Sequence, residues 1–485
     1  MILPKNVSYI INKLEEEGYE AYAVGGCVRD TMLGREPEDW DITTSAKPLE
    51  IKRIFKKTID TGIQHGTVTV MLDHIGYEVT TYRIDGEYED SRHPKSVEFT
   101  GNLKLDLERR DFTINAMAYN DTAGLVDEFD GERDLKDGII RCVGNTGKRF
   151  DEDALRMLRA VRFSGQLGFE IEPNTRQAIV DKAGNLGKIS AERIRVELTK
   201  LLASKDAGQI REAYRTGMTR IFLPELDNMM EVEQYNLHHI YTVGEHCIRS
   251  VEIMNSFFGL SSGKWDETII PDEVQRTAEN LARKMSRKQH DILVLTMLLH
   301  DIAKPVVMTK DEDGVGHFYG HPQKSEEMAR NIMKRLTFDN ETVSTVRKLI
   351  RFHDYRMEGR CRPLRHAVSK IGVDIMPMLF LVQYADILAQ NPDKFEDKLL
   401  RQKEAYYAYN SIIKDKSPLS IKDLAVTGKD LIEAGVTPGP GLGEMLESLL
   451  EYVLDEPDKN EKGHLIMYVK NLNMNRNGEE YGIRC

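Results

Sequence analysis

The 485-residue chain reads as an α+β protein, with a mixed-sheet head over residues 1–140 followed by all-α modules. Three observations predict this. The stretches "GTVTVML" and "YEVTTYRID", separated by "DHIG", alternate as hairpin strands do, and "FTINAMAYN" and "LVDEFDG", separated by "DTAG", repeat the pattern. From "NTGKRFDEDALRMLRAVRFSGQLGF" onward the apolar period becomes helical and stays so nearly to the end. The length also exceeds what one ordinary core supports, so two to four domains are expected. Boundaries fall near residues 140, 230 and 400, giving 1–140, 141–230, 231–400 and 401–485.

In chain order, residues 5–18 form an amphipathic helix, and "AYAVGG" a short strand ending in a glycine turn from which "RDTMLG" starts a second helix. A further helix, "KPLEIKRIFKK", leads into the hairpins, so the sheet carries one or two helices in this region. In the second half "SSGKWDETIIPDE" and "DEDGVGHFYGHP" read as loops, and "TPGPGLG" at 437–443 as a turn. There is no internal repeat and no low-complexity segment.

Composition narrows the class. Apolar residues make up 40% and charged residues 30%, and no run of about 18 apolar residues appears, which excludes a membrane-spanning helix. The acidic N-terminal stretch "MILPKNVSYIINKLEEEGYE" lacks a signal peptide's apolar core, so a cytoplasmic location without membrane partners is expected. Cys27, Cys142, Cys247, Cys361 and Cys485 are widely scattered, as expected of reduced thiols. A net charge of −12 argues against a nucleic-acid partner unless a local basic groove exists.

The densest chemistry lies in "VGGCVRDTMLGREPEDWDITTSA". Asp39 and Asp41 flank Trp40 in an extended segment, where a period of two puts both carboxylates on one face. Hard oxygen ligands of this kind suit Mg²⁺ together with substrate phosphates. Alone, an Asp-x-Asp is a solvated acidic loop. Here Gly25 and Gly26 let backbone N–H groups approach an anion, and Arg29 follows one turn into the next helix. Metal and triphosphate can then share one site, the arrangement nucleotidyl transfer needs.

The same residues closely resemble the signature of class II tRNA nucleotidyltransferases and bacterial poly(A) polymerases. The resemblance continues through "DGEYEDSRHPKSVEFTGNLKLDLERRDFTINAMAYN", "LVDEFDGERDLKDGIIRCVG" and "RFDEDALRMLRAVRFSGQLGF", covering about the first 205 residues. It implies a polymerase-beta-like nucleotidyltransferase head over 1–140 and a helical, RNA-binding neck over 141–230. It also implies tRNA 3′ ends, CTP and ATP as partners and Mg²⁺ as cofactor. The loop "DGEYEDSRHPKSVEF" resembles the flexible loop of CCA-adding and A-adding members, which CC-adding members lack.

In "FDEDALRMLRAVRF", Asp153 and Arg156 are three apart in a helical run, and Arg159 and Arg162 extend the same face. Cytosine and adenine both offer an exocyclic amino donor beside a ring-nitrogen acceptor, which an accepting Asp and a donating Arg fit. Each mismatched polar group costs ~1–3 kcal/mol, so two mismatches discriminate by tens- to thousands-fold. The bland alternative is a salt-bridged helix face, since Glu152 and Arg156 also stand four apart. The resemblance assigns Asp153 and Arg156 as the base-reading pair, with Gly26, Arg29, Arg110, Arg159 and Arg162 as nucleotide contacts. Basic stretches between Lys148 and Lys200 could line an RNA groove or form solvated helix faces.

The second half carries His246, the pair His300-Asp301, His321, the pair His353-Asp354 and Asp386. Any lone histidine is an ordinary core or surface residue, but a His-Asp pair after the apolar "ILVLTMLL" needs buried partners, for which a divalent ion is an efficient answer. The order His246, His300, Asp301, Asp386 resembles the HD-domain metal phosphohydrolases, with His321 and His353 similar to the extra ligands of two-metal members. This implies an HD module over 231–400 with a divalent metal of unknown identity, followed by a helical tail over 401–485.

Together these readings predict CCA addition to tRNA with pyrophosphate release, and the HD resemblance implies phosphohydrolase activity on RNA ends or nucleotides as a second activity. Three alternatives stay open: an A-adding enzyme or poly(A) polymerase with the same head, an HD phosphohydrolase with an RNA-binding head, and an RNA-binding scaffold. Oligomeric state is not legible.

Overall fold

The structure, a computed structural model, describes residues 1–86, 97–260 and 270–480. Most of the loop "DGEYEDSRHPKSVEF", the first nine residues of "SSGKWDETIIPDE", and Cys485 lie outside the described residues. The fold is α+β, as expected, and divides into two compact units, one built from Met1–Asp227 with a short stretch at 334–338, the other beginning at Asn228.

The first unit holds a seven-stranded mixed sheet. Its strands are β1 (Ala21–Val24), β2 (Ile42–Thr44), β3 (Thr58–Gly62), β4 (Thr67–Leu72), β5 (Ile75–Thr81), β8 (Met117–Asn120) and β9 (Gly124–Asp127), with β6 (Arg83–Asp85) and β7 (Val97–Phe99) paired separately. The sheet order is β3-β4-β5-β2-β1-β8-β9. β2 is antiparallel to β1, with Ala23 opposite Ile42, and parallel to β5, with Ile42 opposite Val79. β1 and β2 therefore sit at the centre, and the segments entering and leaving them open at one end of the sheet.

Five helices accompany this sheet rather than one or two: Lys5–Glu16, Gly26–Met32, Pro48–Ile54, Leu103–Glu108 and Gly131–Asp137. Leu103–Glu108 and Gly131–Asp137, the two not placed from the sequence, each span two turns or less, too short for an apolar period to register. Beyond residue 140 two helices, Thr146–Glu152 and Leu155–Leu167, replace the single expected run. The break falls at Asp153, in extended geometry (φ −142°, ψ 99°), whose Oδ1 accepts from the Leu155 N–H. A short acidic side chain satisfies an orphan donor of the new helix better than it continues the old one.

In the second unit Val243–Phe257, Arg287–Leu299, Asn340–Phe352 and Met376–Leu388 pack together. Arg287–Leu299 starts at a Ser286–Gln289 capping box. Met376–Leu388 is apolar almost all round and correspondingly buried. "DEDGVGHFYGHP" is not wholly loop: Thr309–Lys310 pairs with Gly316–His317, and His321 opens a helix. "TPGPGLG" likewise contains a helix start at Pro440. Residues 424–469 form a separate apolar cluster around Leu431, Leu449, Val453 and Leu465. No single helix among the described residues is long and apolar enough to cross a membrane.

Candidate functional site

Two clusters stand out, one in each unit. In the first, Gly25 ends β1 and caps the helix Gly26–Met32 with φ +82° and ψ −128°. Arg110 fills the space above it, since a Cβ on Gly25 would meet Arg110 Nη1 at 2.7 Å. Gly26 is less constrained, a Cβ there meeting Arg29 Nη2 at an ordinary 3.7 Å. Arg29 is buried, donating to Asn115 Oδ1 at 2.6 Å and pairing with Asp30 at 2.8 Å. The guanidinium carbons of Arg29, Arg159 and Arg162 lie 5.0, 5.3 and 3.7 Å from the centre of the Phe163 ring. These cations from two helices thus gather around one aromatic ring.

Asp39 and Asp41 precede β2 rather than lying in it, and both are exposed. The Asp41 carbonyl accepts from the Val24 N–H at 3.0 Å, fixing the segment beside the glycine turn. Desolvation by the surrounding walls raises the Asp41 carboxyl, Arg110 opposes this, and Asp39 adds to it. Glu78 on β5 is raised by burial, then by the charges of Asp41 and Asp39. That third carboxylate was not singled out in the sequence, where it falls on the polar side of the alternating strand "YEVTTY" and gives no signal. Among the described residues neither Asp39 nor Asp41 closes an ion pair, which leaves both carboxylates open to a hard cation.

Asp153 and Arg156 do not lie on one helix, because of the break at Asp153. The Asp153 carboxylate pairs two-pronged with Arg193, at 3.1 and 2.7 Å. Arg156 donates to Glu152 Oε2 at 3.0 Å and to the Arg109 carbonyl at 2.8 Å. The Glu152–Arg156 pairing weighed as the alternative is therefore present, alongside tertiary contacts that a solvated helix face would lack. Arg159 pairs with Asp111 at 2.7 Å, and Arg162 with Glu197 at 2.6 Å. Burial pulls Arg162 down to about 10 despite Glu197.

The second cluster gathers all six predicted ligands. His246, His300, Asp301 and Asp386 form one group, Asp301, His321 and His353 another, with the ligand atoms of each within 4.8 Å of one another. Asp301 is shared. Its Oδ2 lies 3.5 and 3.4 Å from Nε2 of His246 and His300, and its Oδ1 3.4 and 3.6 Å from Nε2 of His321 and His353. Asp386 Oδ1 is 3.0 Å from His246 Nε2. The outer nitrogens of His300, His321 and His353 face the carbonyls of Met297, Phe318 and Ile350 at 2.7–2.9 Å, which turns every Nε2 inward. Asp354 stays outside the cluster, exposed at its mouth.

Neither Asp301 oxygen accepts a hydrogen bond of ordinary geometry, although Lys304 Nζ lies 2.6 Å from Oδ2. Burial would raise the Asp301 carboxyl, but Lys304 and His300 hold it well below the usual range. Buried oxygens aimed at inward-facing imidazoles form a donor set that fits divalent transition ions. Lys304 and the neighbouring His239, whose ring lies 5.1 Å from that of His246, were not anticipated. They belong to ordinary-looking helical and loop sequence.

The fold and these sites define a nucleotidyltransferase-type α+β head joined to a helical body. Residues 21–141 match the model of the poly A polymerase head domain, 168–230 the "Probable RNA and SrmB-binding site of polymerase A", and 309–469 domain 2 of tRNA nucleotidyltransferase. A CCA-adding enzyme of Levilactobacillus brevis is 33% identical over 461 residues, 95% of this chain and 96% of that one. One from Leuconostoc mesenteroides is 54% identical over 215 residues, 44% of this chain but only about half, 54%, of that protein's length. The chain also superposes on the Bacillus stearothermophilus CCA-adding enzyme in complex with CTP with a TM-score of 0.66 and 29% identity, covering 99% and 100% of the two chains. The chain belongs to the family of CCA-adding enzymes.

Proposed function

We propose that this chain adds CCA to the 3′ end of tRNA from CTP and ATP, with residues 1–140 as the nucleotidyltransferase head and 141–230 as an RNA-binding neck. The observation that carries this is the joining of exposed Asp39 and Asp41 to a glycine turn beneath Arg110, within a chain that aligns with 96% of a CCA-adding enzyme. The 3′-hydroxyl oxygen of tRNA attacks the α-phosphorus of the nucleotide, the bond to the bridging oxygen of the β-phosphate breaks, and pyrophosphate leaves. Mg²⁺ held by Asp39 and Asp41 would lower the pKa of the attacking hydroxyl and offset charge on the leaving group. Gly25 brings backbone close to the triphosphate, and Arg29, Arg110, Arg159 and Arg162 supply positive charge around it. Glu78 adds a third carboxylate to the Asp39–Asp41 face.

Asp153 accepts three hydrogen bonds, two from Arg193 and one from Leu155. A carboxylate offers about four lone-pair sites, so one remains for an exocyclic amino group of cytosine or adenine. Arg156 donates to the neighbouring ring nitrogen. The test supplies a tRNA ending at its discriminator base with CTP, ATP or both. CCA addition gives two residues with CTP alone and three, then arrest, with both. Extension only of a CC-ended tRNA by ATP overturns it in favour of an A-adding enzyme, and unlimited ATP-dependent growth in favour of a poly(A) polymerase.

A second activity is favoured by the buried cluster around Asp301. We infer that residues 231–400 form an HD-type metal phosphohydrolase acting on RNA ends or nucleotides, with 401–485 as a helical tail. His246, His300, Asp301 and Asp386 would hold one divalent ion, and Asp301, His321 and His353 a second. Such ions activate water and polarise the phosphoryl oxygens. In the reaction the oxygen of water attacks phosphorus, the P–O ester bond breaks, and the alcohol departs with a proton. Manganese-dependent hydrolysis of p-nitrophenyl phosphate, lost on His300→Ala, tests it, and no hydrolysis with any of Mn²⁺, Ni²⁺, Co²⁺ or Zn²⁺ overturns it.

A further inference from the structure

A cavity of about 140 Å³ opens from the buried cluster, lined by His353 and Asp386 at one end and by Lys398, Arg401 and Arg356 further out. A second hollow continues it, sharing Arg356 and Arg401 and reaching Tyr407. The three cations outnumber the free acids of the first cavity. Asp386 is engaged by His246, so only Asp354 remains to oppose them. Arg356 makes no ion pair or hydrogen bond among the described residues, and the charged end of Arg401 meets only the Asp397 carbonyl, at 3.3 Å. In the outer hollow Arg360 pairs with Glu358, and Glu404 is the remaining acid.

Lys398 is tied to the cluster itself. Asp386 Oδ2 accepts from Gln390 Nε2 at 3.1 Å, and Gln390 Oε1 accepts from Lys398. Aromatic rings accompany the cations: Tyr355 is 38% exposed and Tyr407 56% exposed, the latter held by a hydrogen bond from its hydroxyl to Glu273. Uncommitted cations with exposed rings are what a single strand needs, since phosphates take the charges and bases stack on the rings. A free mononucleotide would fill only the cavity beside His353 and leave the outer hollow and Tyr407 untouched.

Resting on the phosphohydrolase reading above, we propose that this site takes the end of a single-stranded RNA rather than a mononucleotide. The terminal phosphoester lies at the His–Asp cluster, and the preceding nucleotides run along Lys398, Arg401 and Arg356 toward Tyr407.

The experiment uses the full chain with Mn²⁺ and compares 2′,3′-cyclic cytidine monophosphate with a pentanucleotide bearing the same cyclic end. A pentanucleotide containing 4-thiouridine is also photo-cross-linked to the metal-free protein and the linked peptide mapped. We expect kcat/KM to favour the pentanucleotide by about tenfold or more. Arg356→Ala with Arg401→Ala should remove most of that preference and the cross-link near Tyr355 or Tyr407, and Arg356→Lys with Arg401→Lys should restore both, as phosphate binding along a strand is chiefly electrostatic. Equal kcat/KM for the two substrates, or a preference indifferent to the double alanine variant, overturns the proposal. Cleavage of neither substrate overturns the phosphohydrolase reading instead. The cross-link then decides the strand separately, and one confined to residues 1–227 counts against it.

Discussion

Gly25 and Arg110 occupy the same space, in that any β-carbon on Gly25 would stand 2.7 Å from Arg110 Nη1. The backbone there, φ +82° and ψ −128°, is one that L side chains avoid. Gly25→Ala therefore meets two penalties, backbone strain on the order of 1–3 kcal/mol and displacement of a guanidinium from the nucleotide face. The expected outcome is a lowered melting temperature together with a raised KM for CTP. Gly26→Ala, whose Cβ has ordinary room, should leave the melting temperature within about 2 °C, because surface-type changes stay near ±0.5 kcal/mol.

Arg193 is a positioning residue for Asp153. Its two-pronged hold fixes the plane of the carboxylate that is proposed to read the incoming base. Arg193→Ala should raise misincorporation of UTP relative to CTP by about tenfold, the equivalent of one lost polar discrimination of ~1–3 kcal/mol. Arg193→Lys should recover it only in part, since a point charge cannot reproduce the fork. A fall in turnover with unchanged CTP-over-UTP selectivity would mean that Arg193 only stabilises the fold.

These two relationships mark where the sequence stops being legible. The hairpin strands β4 and β5 were readable because β-branched alternation announces itself within a few residues. Asp39 and Asp41 could be singled out as candidates because they and the glycine turn lie within one short stretch. The break at Asp153 was not, since "FDEDALRM" has a continuous helical period and only the backbone angles reveal the cap. Arg193 and Lys304 sit on helical sequence whose spacing gives no hint of the carboxylates they meet. Glu78 joins Asp41 through sheet register, with Val79 opposite Ile42. The histidines could be ordered along the chain by resemblance, but the sharing of Asp301 between two groups is a property of the packed helices alone.

Asp111 holds Arg159, one of the proposed nucleotide contacts, and should set the acid sensitivity of this region. Burial alone would raise its carboxyl, yet the Arg159 guanidinium and the Asn115 amide hold it well below the usual range. A carboxylate with a depressed folded pKa stabilises fully above its unfolded value, about 3.9, and loses that contribution as pH falls below it. Asp111→Asn should flatten the acid limb of the stability profile below about pH 4. At neutral pH it should cost about 3 kcal/mol, as breaking a largely buried ion pair does. Thermal melts from pH 3 to pH 7 read both effects, and an unchanged acid limb would remove Asp111 from this role.

The sharing of Asp301 leads to a prediction about stoichiometry. Each of its oxygens faces a different pair of imidazoles, at 3.4–3.6 Å, so one carboxylate serves two groups of donors. The full chain, dialysed against Mn²⁺ and then metal-free buffer, should retain up to two ions by elemental analysis. His321→Ala with His353→Ala removes donors of one group only and should lower retention by one ion. Asp301→Ala takes an oxygen from both and should abolish retention, and by freeing Lys304 from its 2.6 Å partner it leaves an unpaired cation where an ion would sit. Because these residues belong to the second unit, CTP addition with excess Mg²⁺ should stay within about twofold of the parent in both variants. Equal loss from the paired histidine variant and from Asp301→Ala would mean that the two groups hold a single ion between them.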